Sequence, residues 1–184
     1  MKSGLIKSRT FAAAVMVLLI AVSTWFGAYR SLHGLYNELS DAFYQGVDGD
    51  GLSIQNDLED MMTLSDNLSV VARRNLGADA AAVAELSDAR TALSDAKTPA
   101  AKYRAAAGLV RAVTAVYSEL DPDKLSDSDA RYRESLYTDI VSLDRKIGHD
   151  GYNHLVDEYN QKISAFPANL LSKLTFVPEG EYYR

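Results

Sequence analysis

Residues 126–176 read SDSDARYRESLYTDIVSLDRKIGHDGYNHLVDEYNQKISAFPANLLSKLTF. Apolar side chains fall at Tyr132, Leu136, Ile140, Leu143, Ile147, Leu155, Tyr159 and Ile163. The gaps are threes, fours and one sum of two fours, the period of a single helical face. The face continues without proline until Pro167. As one helix of roughly forty residues it would reach about 60 Å at about 1.5 Å per residue. A stripe of that length needs partner helices of similar length to bury it.

The residues before it supply those partners. Helix two is predicted from about Ser53 to Asn75, with a stripe at Leu58, Met61, Leu64, Leu68, Val71 and Ala72. Ser53 suits the N-cap, Gly77 the C-terminal stop, and Arg73 and Arg74 the negative end of the helix dipole. Asp79 is the expected cap of a third, alanine-rich helix carrying Val83, Leu86 and Leu93. Thr98-Pro99 reads as a cap plus first-turn proline that restarts or kinks that helix. Its second half shows a stripe at Tyr103, Ala107, Val110, Val113 and Tyr117. The polar turn at 121–126 follows, with Ser126 or Asp127 capping the long helix. The many alanines between positions 80 and 112 are a mixture of close-packing residues and plain helix formers.

The first thirty residues differ in kind. Lys2, Lys7 and Arg9 stand without an acid, and 10–29 are then twenty residues without a charge. Such a run spans the roughly 30 Å hydrocarbon core. Trp25, Phe26 and Tyr29 sit where an aromatic belt would lie, and the basic flank predicts a cytoplasmic N-terminus. A cleaved signal peptide, with Ala21-Val22-Ser23 as a small-x-small site, is the competing reading. The apolar run is longer than a signal h-region, and large aromatics follow the candidate cleavage point. The stripe Leu32, Leu35, Tyr36, Leu39 and Phe43 carries the anchor helix on into the domain.

The expected architecture is therefore all-α: an N-terminal transmembrane helix followed by an antiparallel bundle of about four long helices. Its parts are a basic segment (1–9), the anchor (10–29), the bundle (30–176) and a C-terminal tail (177–184). With 184 residues and no cysteine, disulfides and thiolate metal sites are excluded. A net charge of −6 speaks against nucleic acid as a partner.

Few residues are spaced for chemistry. Asp48, Asp50 and Glu59 mimic the first, third and twelfth positions of a calcium loop. Leu52 and Ser53 then fall where an oxygen ligand and a glycine are required, so the stretch 45–52 reads as a helix break. His154 and Glu158 have i,i+4 metal spacing, but His149 lies about 140° round the helix and does not converge with them. No Ser-His-Asp set, GxSxG, P-loop or dinucleotide fingerprint occurs. No enzyme activity, cofactor or metal is expected.

The distinctive residues are Tyr152-Asn153, Tyr159-Asn160 and Phe166-Pro167-Ala168-Asn169-Leu170, followed by Phe176 and an acidic-aromatic end. This succession resembles the C-terminal signature of the LemA family: YN, YN again, F-P-x-N-L, then a phenylalanine-rich tail. Tyr117-Ser118-Glu119-Leu120, Asn67-Leu68 and Tyr36-Asn37 resemble further family stretches. The chain departs from the pattern at Gly46–Gly51 and at Gly148 and Gly151. The resemblance implies a membrane anchor, a bundle of long helices and no established activity. One branch of the family resembles magnetosome-membrane proteins, which suggests a role in membrane organisation.

Two roles for the signature follow from its chemistry. Tyr152 and Tyr159 share a helical face, Phe166 ends that face, Pro167 ends the helix and Asn169 caps what comes next. Leu170, Leu171, Leu174 and Phe176 would then fold back over the bundle end. On this reading alanine at Tyr159 or Phe166 costs about 2–4 kcal/mol. Alternatively the same residues form a recognition surface. The expected function is a single-pass, cell-membrane scaffold or adaptor with an extracytoplasmic bundle. Its partners are the bilayer, through 10–29, and a membrane or envelope protein or a second copy of itself. The alternative is a sensing domain with a small molecule held between helices.

Overall fold

The computed structural model describes residues 9–47, 49 and 51–184. Lys2 and Lys7 of the basic segment, and Asp48 and Asp50 of the calcium-like stretch, lie outside the described residues. The elements are α1 (Arg9–Gln45), α2 (Ile54–Leu76), α3 (Ala81–Asp95), α4 (Pro99–Glu119), a 3-10 turn (Pro122–Lys124), α5 (Asp127–Gly148), α6 (Tyr152–Ser164) and α7 (Ala168–Thr175). No strand occurs among the described residues. The all-α reading holds.

Local signals explain most boundaries. Ser53, Thr98 and Ser126 each accept a bond from the backbone N–H three residues on, as N-caps do. Gly77, at φ 98°, stops α2. The expected cap at Asp79 is not used: Ala80 occupies the N-cap of α3 without a side-chain bond. The alanine-rich helix is two helices, parted at 96–98, because Thr98 caps afresh and Pro99 takes the first turn. The long C-terminal helix also divides. His149 caps α5, and the Asp150 carboxylate accepts from the Tyr152 N–H at 2.7 Å to start α6. Gly148 and Gly151, poor helix formers, flank the break.

The chain forms two compact units. The larger comprises Ser40–Leu155 and Glu181–Arg184. In it α3 pairs chiefly with α4, and α2 with α5. Leu58, Met61 and Leu68 of α2, Leu86 and Leu93 of α3, Leu109, Val113 and Val116 of α4 and Ile140 of α5 are fully buried. Each such aliphatic contributes about 1.5–3 kcal/mol of transfer free energy. The α4 stripe keeps Val113 as predicted, but its other buried positions lie one residue earlier than the spacing suggests: Ala106, Leu109 and Val116 point inward, while Tyr103 is 43 % exposed. Alanine and valine run side by side there, so two adjacent faces look equally apolar. Lys102 lies on the buried face with them, and burial pushes its ammonium pKa down, aided by Lys97. Tyr132, at the head of the α5 stripe, is 59 % exposed.

Polar pairs tie α2 to α5 at two levels. Asp129 takes Arg74 at 2.7 Å on one carboxylate oxygen and Asn75 at 3.1 Å on the other. Lys146 meets Asp57 at 2.7 Å. Between α4 and α5, the Arg133 guanidinium donates to the Tyr117 carbonyl at 2.8 Å and covers its ring at 3.6 Å.

The smaller unit comprises the chain up to Leu39 and Val156–Gly180. Within it, residues 9–27 of α1 are exposed throughout. An 18-residue window there has mean hydropathy 2.1 with none of it buried, so α1 is long and apolar enough to cross a membrane. Beyond it Leu32 and Leu39 of α1 are buried, as are Val156, Tyr159 and Ile163 of α6. Phe176 ends α7 in the left-handed conformation, φ 56°, and donates to the Ser172 carbonyl. Phenylalanine costs about 1–2 kcal/mol there relative to glycine.

Candidate functional site: paired Tyr-Asn steps and the tail they hold

The helical period places Tyr152 and Tyr159 on one face of α6, where they are 3 % and 4 % exposed. Each is followed by a half-buried asparagine. What these four side chains hold is the extended segment 178–183, which has no helix or strand of its own.

In the larger unit, the Tyr152 hydroxyl donates to the Glu181 carbonyl at 2.9 Å. Asn153 Nδ2 donates to the Tyr183 carbonyl at 3.0 Å, and its Oδ1 accepts from the Tyr183 N–H at 2.8 Å. In the smaller unit, the Tyr159 hydroxyl donates to the Pro178 carbonyl at 2.8 Å. Asn160 Nδ2 donates to the Gly180 carbonyl at 3.1 Å, and its Oδ1 accepts from the Gly180 N–H at 2.8 Å. Each asparagine amide thus binds one residue's N–H and C=O as a neighbouring strand would, and each tyrosine takes a carbonyl two residues earlier. The same pattern thus occurs once in each unit.

Packing completes both steps. The Tyr183 ring is 7 % exposed and meets Phe43 and Tyr103 at centroid distances of 6.1 and 5.3 Å. The Phe43 ring also meets Tyr152 at 5.1 Å. At Gly180 a Cβ would lie 2.7 Å from Leu39 Cδ2, 3.1 Å from the Tyr159 ring and 3.3 Å from Val156, so a side chain there would have to displace the end of Leu39 and press on the other two. Burial pushes the Tyr183 phenol up, with Asp144 and Tyr103 adding to it. Burial, then Tyr36, pushes Tyr159 up from 10.0 to about 12.

A raised phenol pKa means that the folded chain holds its proton more tightly than the unfolded one. The contribution of Tyr159 is thus complete below pH 10 and is lost as pH rises to about 12. Alkaline unfolding of the wild-type chain is expected in that window. Tyr159→Phe, which cannot ionise, is expected to flatten the stability-versus-pH curve there; an unchanged slope would refute the assignment.

The F-P-x-N-L residues behave differently from the expectation. Phe166 is 85 % exposed and closes no face; Leu170 is 56 %, Leu174 53 % and Phe176 87 % exposed. The fold-back over the bundle end is therefore corrected. Pro167 does end α6 and itself occupies the N-cap of α7, with no side-chain bond. Asn169 lies inside the first turn of α7 and caps nothing. Phe166→Ala is accordingly expected to shift stability by no more than about 0.5 kcal/mol; a loss of several kcal/mol in urea unfolding would show the ring to be core.

The polar atoms of the Tyr-Asn steps are engaged with main chain, an arrangement suited to holding a backbone. It provides no nucleophile with an adjacent base. Among the described residues no group of three or more His, Asp or Glu is placed to hold a metal ion. The partner of the asparagines could not be found by periodicity, because it lies twenty to thirty residues away in a non-helical segment. The available signal was Gly180 and Tyr183, three apart, after a motif repeated at seven.

An all-α protein whose sixth helix holds an extended tail through repeated Tyr-Asn steps is the class defined by these features. The chain belongs to the LemA family, whose model matches residues 52–184. No curated protein matches the chain.

Proposed function

We infer that the protein is a single-pass membrane scaffold or adaptor, without enzyme activity, that acts through protein–protein contacts of an extracytoplasmic bundle. The observation that carries this reading is the engagement of the signature: Tyr152, Asn153, Tyr159 and Asn160 spend their polar atoms on residues 178–183. Their role is to hold the fold, which leaves function to its outer surfaces. The apolar segment of α1 supports anchoring in the bilayer. The basic N-terminal flank supports a cytoplasmic start and an outer bundle.

A sensing role gains less support. The groove lined by Asp60, Thr63, Leu64, Asp139, Ser142, Leu143 and Lys146, about 430 Å³, lies at the surface. Lys146, its one cation, is already paired with Asp57. The test is crosslinking of the tagged chain in intact cells, followed by purification in mild detergent. Reproducible recovery of one membrane protein, or of a second copy, is expected. Recovery of a lone monomer that carries a small molecule would overturn the adaptor reading.

A further inference from the structure

Helix α7 is amphipathic in the wrong sense for a protein in water. It turns its hydroxyls inward: Ser172 is 8 % and Thr175 2 % exposed, their Oγ atoms bonded to carbonyls of the same helix. It turns two of its three leucines outward: Leu170 and Leu174, four apart and so on one face, are more than half exposed, while Leu171 is half-buried. Phe166 just before it and Phe176 just after it are the most exposed large apolar residues described. Four large apolar side chains are thus exposed within one short segment, an apolar patch of the kind that marks a contact.

The position of that patch identifies what covers it. The Trp25 indole N–H donates to the Leu174 carbonyl at 3.2 Å, and His33 Nε2 lies 3.2 Å from the Thr175 carbonyl, which can only accept. Trp25, Tyr29 and His33 follow one another along α1, the first pair stacked at a centroid distance of 5.6 Å and the second tilted at 4.2 Å. Trp25 precedes Arg30, the first charge after the apolar run, by five residues, or about 7.5 Å along the helix. The Leu174 main chain is therefore held level with the aromatic end of the span, inside the first charged residue.

We propose that α7, with Phe166 and Phe176, is a second membrane contact. It is an interfacial helix whose leucines and flanking phenylalanines enter the outer acyl–headgroup boundary, with Lys173 at the headgroups. The occupant is lipid, because the patch is fixed to the span itself and because inverted amphipathicity suits an apolar surround. Tryptophan beside it is at home at the same boundary. This rests on residues 10–29 crossing the bilayer.

The chain has no cysteine, so single thiol labels can be placed cleanly. Leu170→Cys, Leu174→Cys, Leu19→Cys and Asp88→Cys variants of the full chain would carry a nitrobenzoxadiazole fluorophore. Each would be reconstituted in vesicles of phosphatidylcholine with one quarter phosphatidylglycerol. Quenching by lipids bearing a nitroxide near the headgroup or deep in the acyl chain reports contact and depth. The labels at 170 and 174 are expected to be blue-shifted and quenched several-fold more than at 88, most strongly by the shallow nitroxide. Quenching at 19 but none at 170 and 174 would overturn the interfacial helix and leave the anchor standing. A blue shift at 170 and 174 without lipid quenching would overturn it in favour of a protein cover, such as a second copy. No quenching at 19 would remove the anchor, and this inference with it.

Discussion

Tyr183→Ala is expected to destabilise the larger unit by about 3–5 kcal/mol, the usual cost of deleting a large buried aromatic. The ring lies between Phe43 and Tyr103 and is 7 % exposed. Its main chain is also the half of the segment that Asn153 holds. Alanine would keep those two bonds available but would remove the packing that places them. Urea unfolding of the detergent-solubilised chain, followed by circular dichroism, would measure the loss. An unchanged midpoint would mean that the tail rests on the bundle without stabilising it.

The second large effect is at Asn160. Asn160→Leu keeps volume but removes both bonds to Gly180, whose N–H and C=O are buried with the residue. A buried main-chain group left unpaired costs about 1–3 kcal/mol, so two lost partners predict about 2–4 kcal/mol after partial rehydration. Hydrogen exchange makes the stronger check. The Gly180 amide should lose protection well before neighbouring α6 amides do. If its protection persists, another acceptor serves that amide and the strand-like role of Asn160 is wrong.

These two residues show where sequence reasoning reached and where it stopped. Caps at Ser53, Thr98 and Ser126 were legible because capping is local chemistry within three residues. Most of the α2 stripe was legible because its leucines have no apolar competitor beside them, although Leu64 is only half-buried and Ser65 takes the inward place beside it. Of the α4 stripe Val113 was placed rightly and the rest one residue late, because alanine, valine and tyrosine crowd two faces at once. Phe166 was misjudged because size and apolarity were equated with core, whereas it is 85 % exposed. The repeated Tyr-Asn motif was visible as a signature, but its partner was not, since main-chain atoms of a distant extended segment leave no periodic trace.

The way the tail is held has a consequence for how such sequences can drift. The Tyr-Asn steps grip carbonyls and amides of residues 178, 180, 181 and 183, not their side chains. Glu179 and Glu181 are exposed. The letters at those positions are therefore easy to exchange, the packed Tyr183 being the hardest to replace. Their number is not cheap. One inserted residue on α6 turns a step by about 100°, and one in the tail displaces it by about 3.3 Å. Related chains should accordingly differ in spelling across this segment while keeping its count.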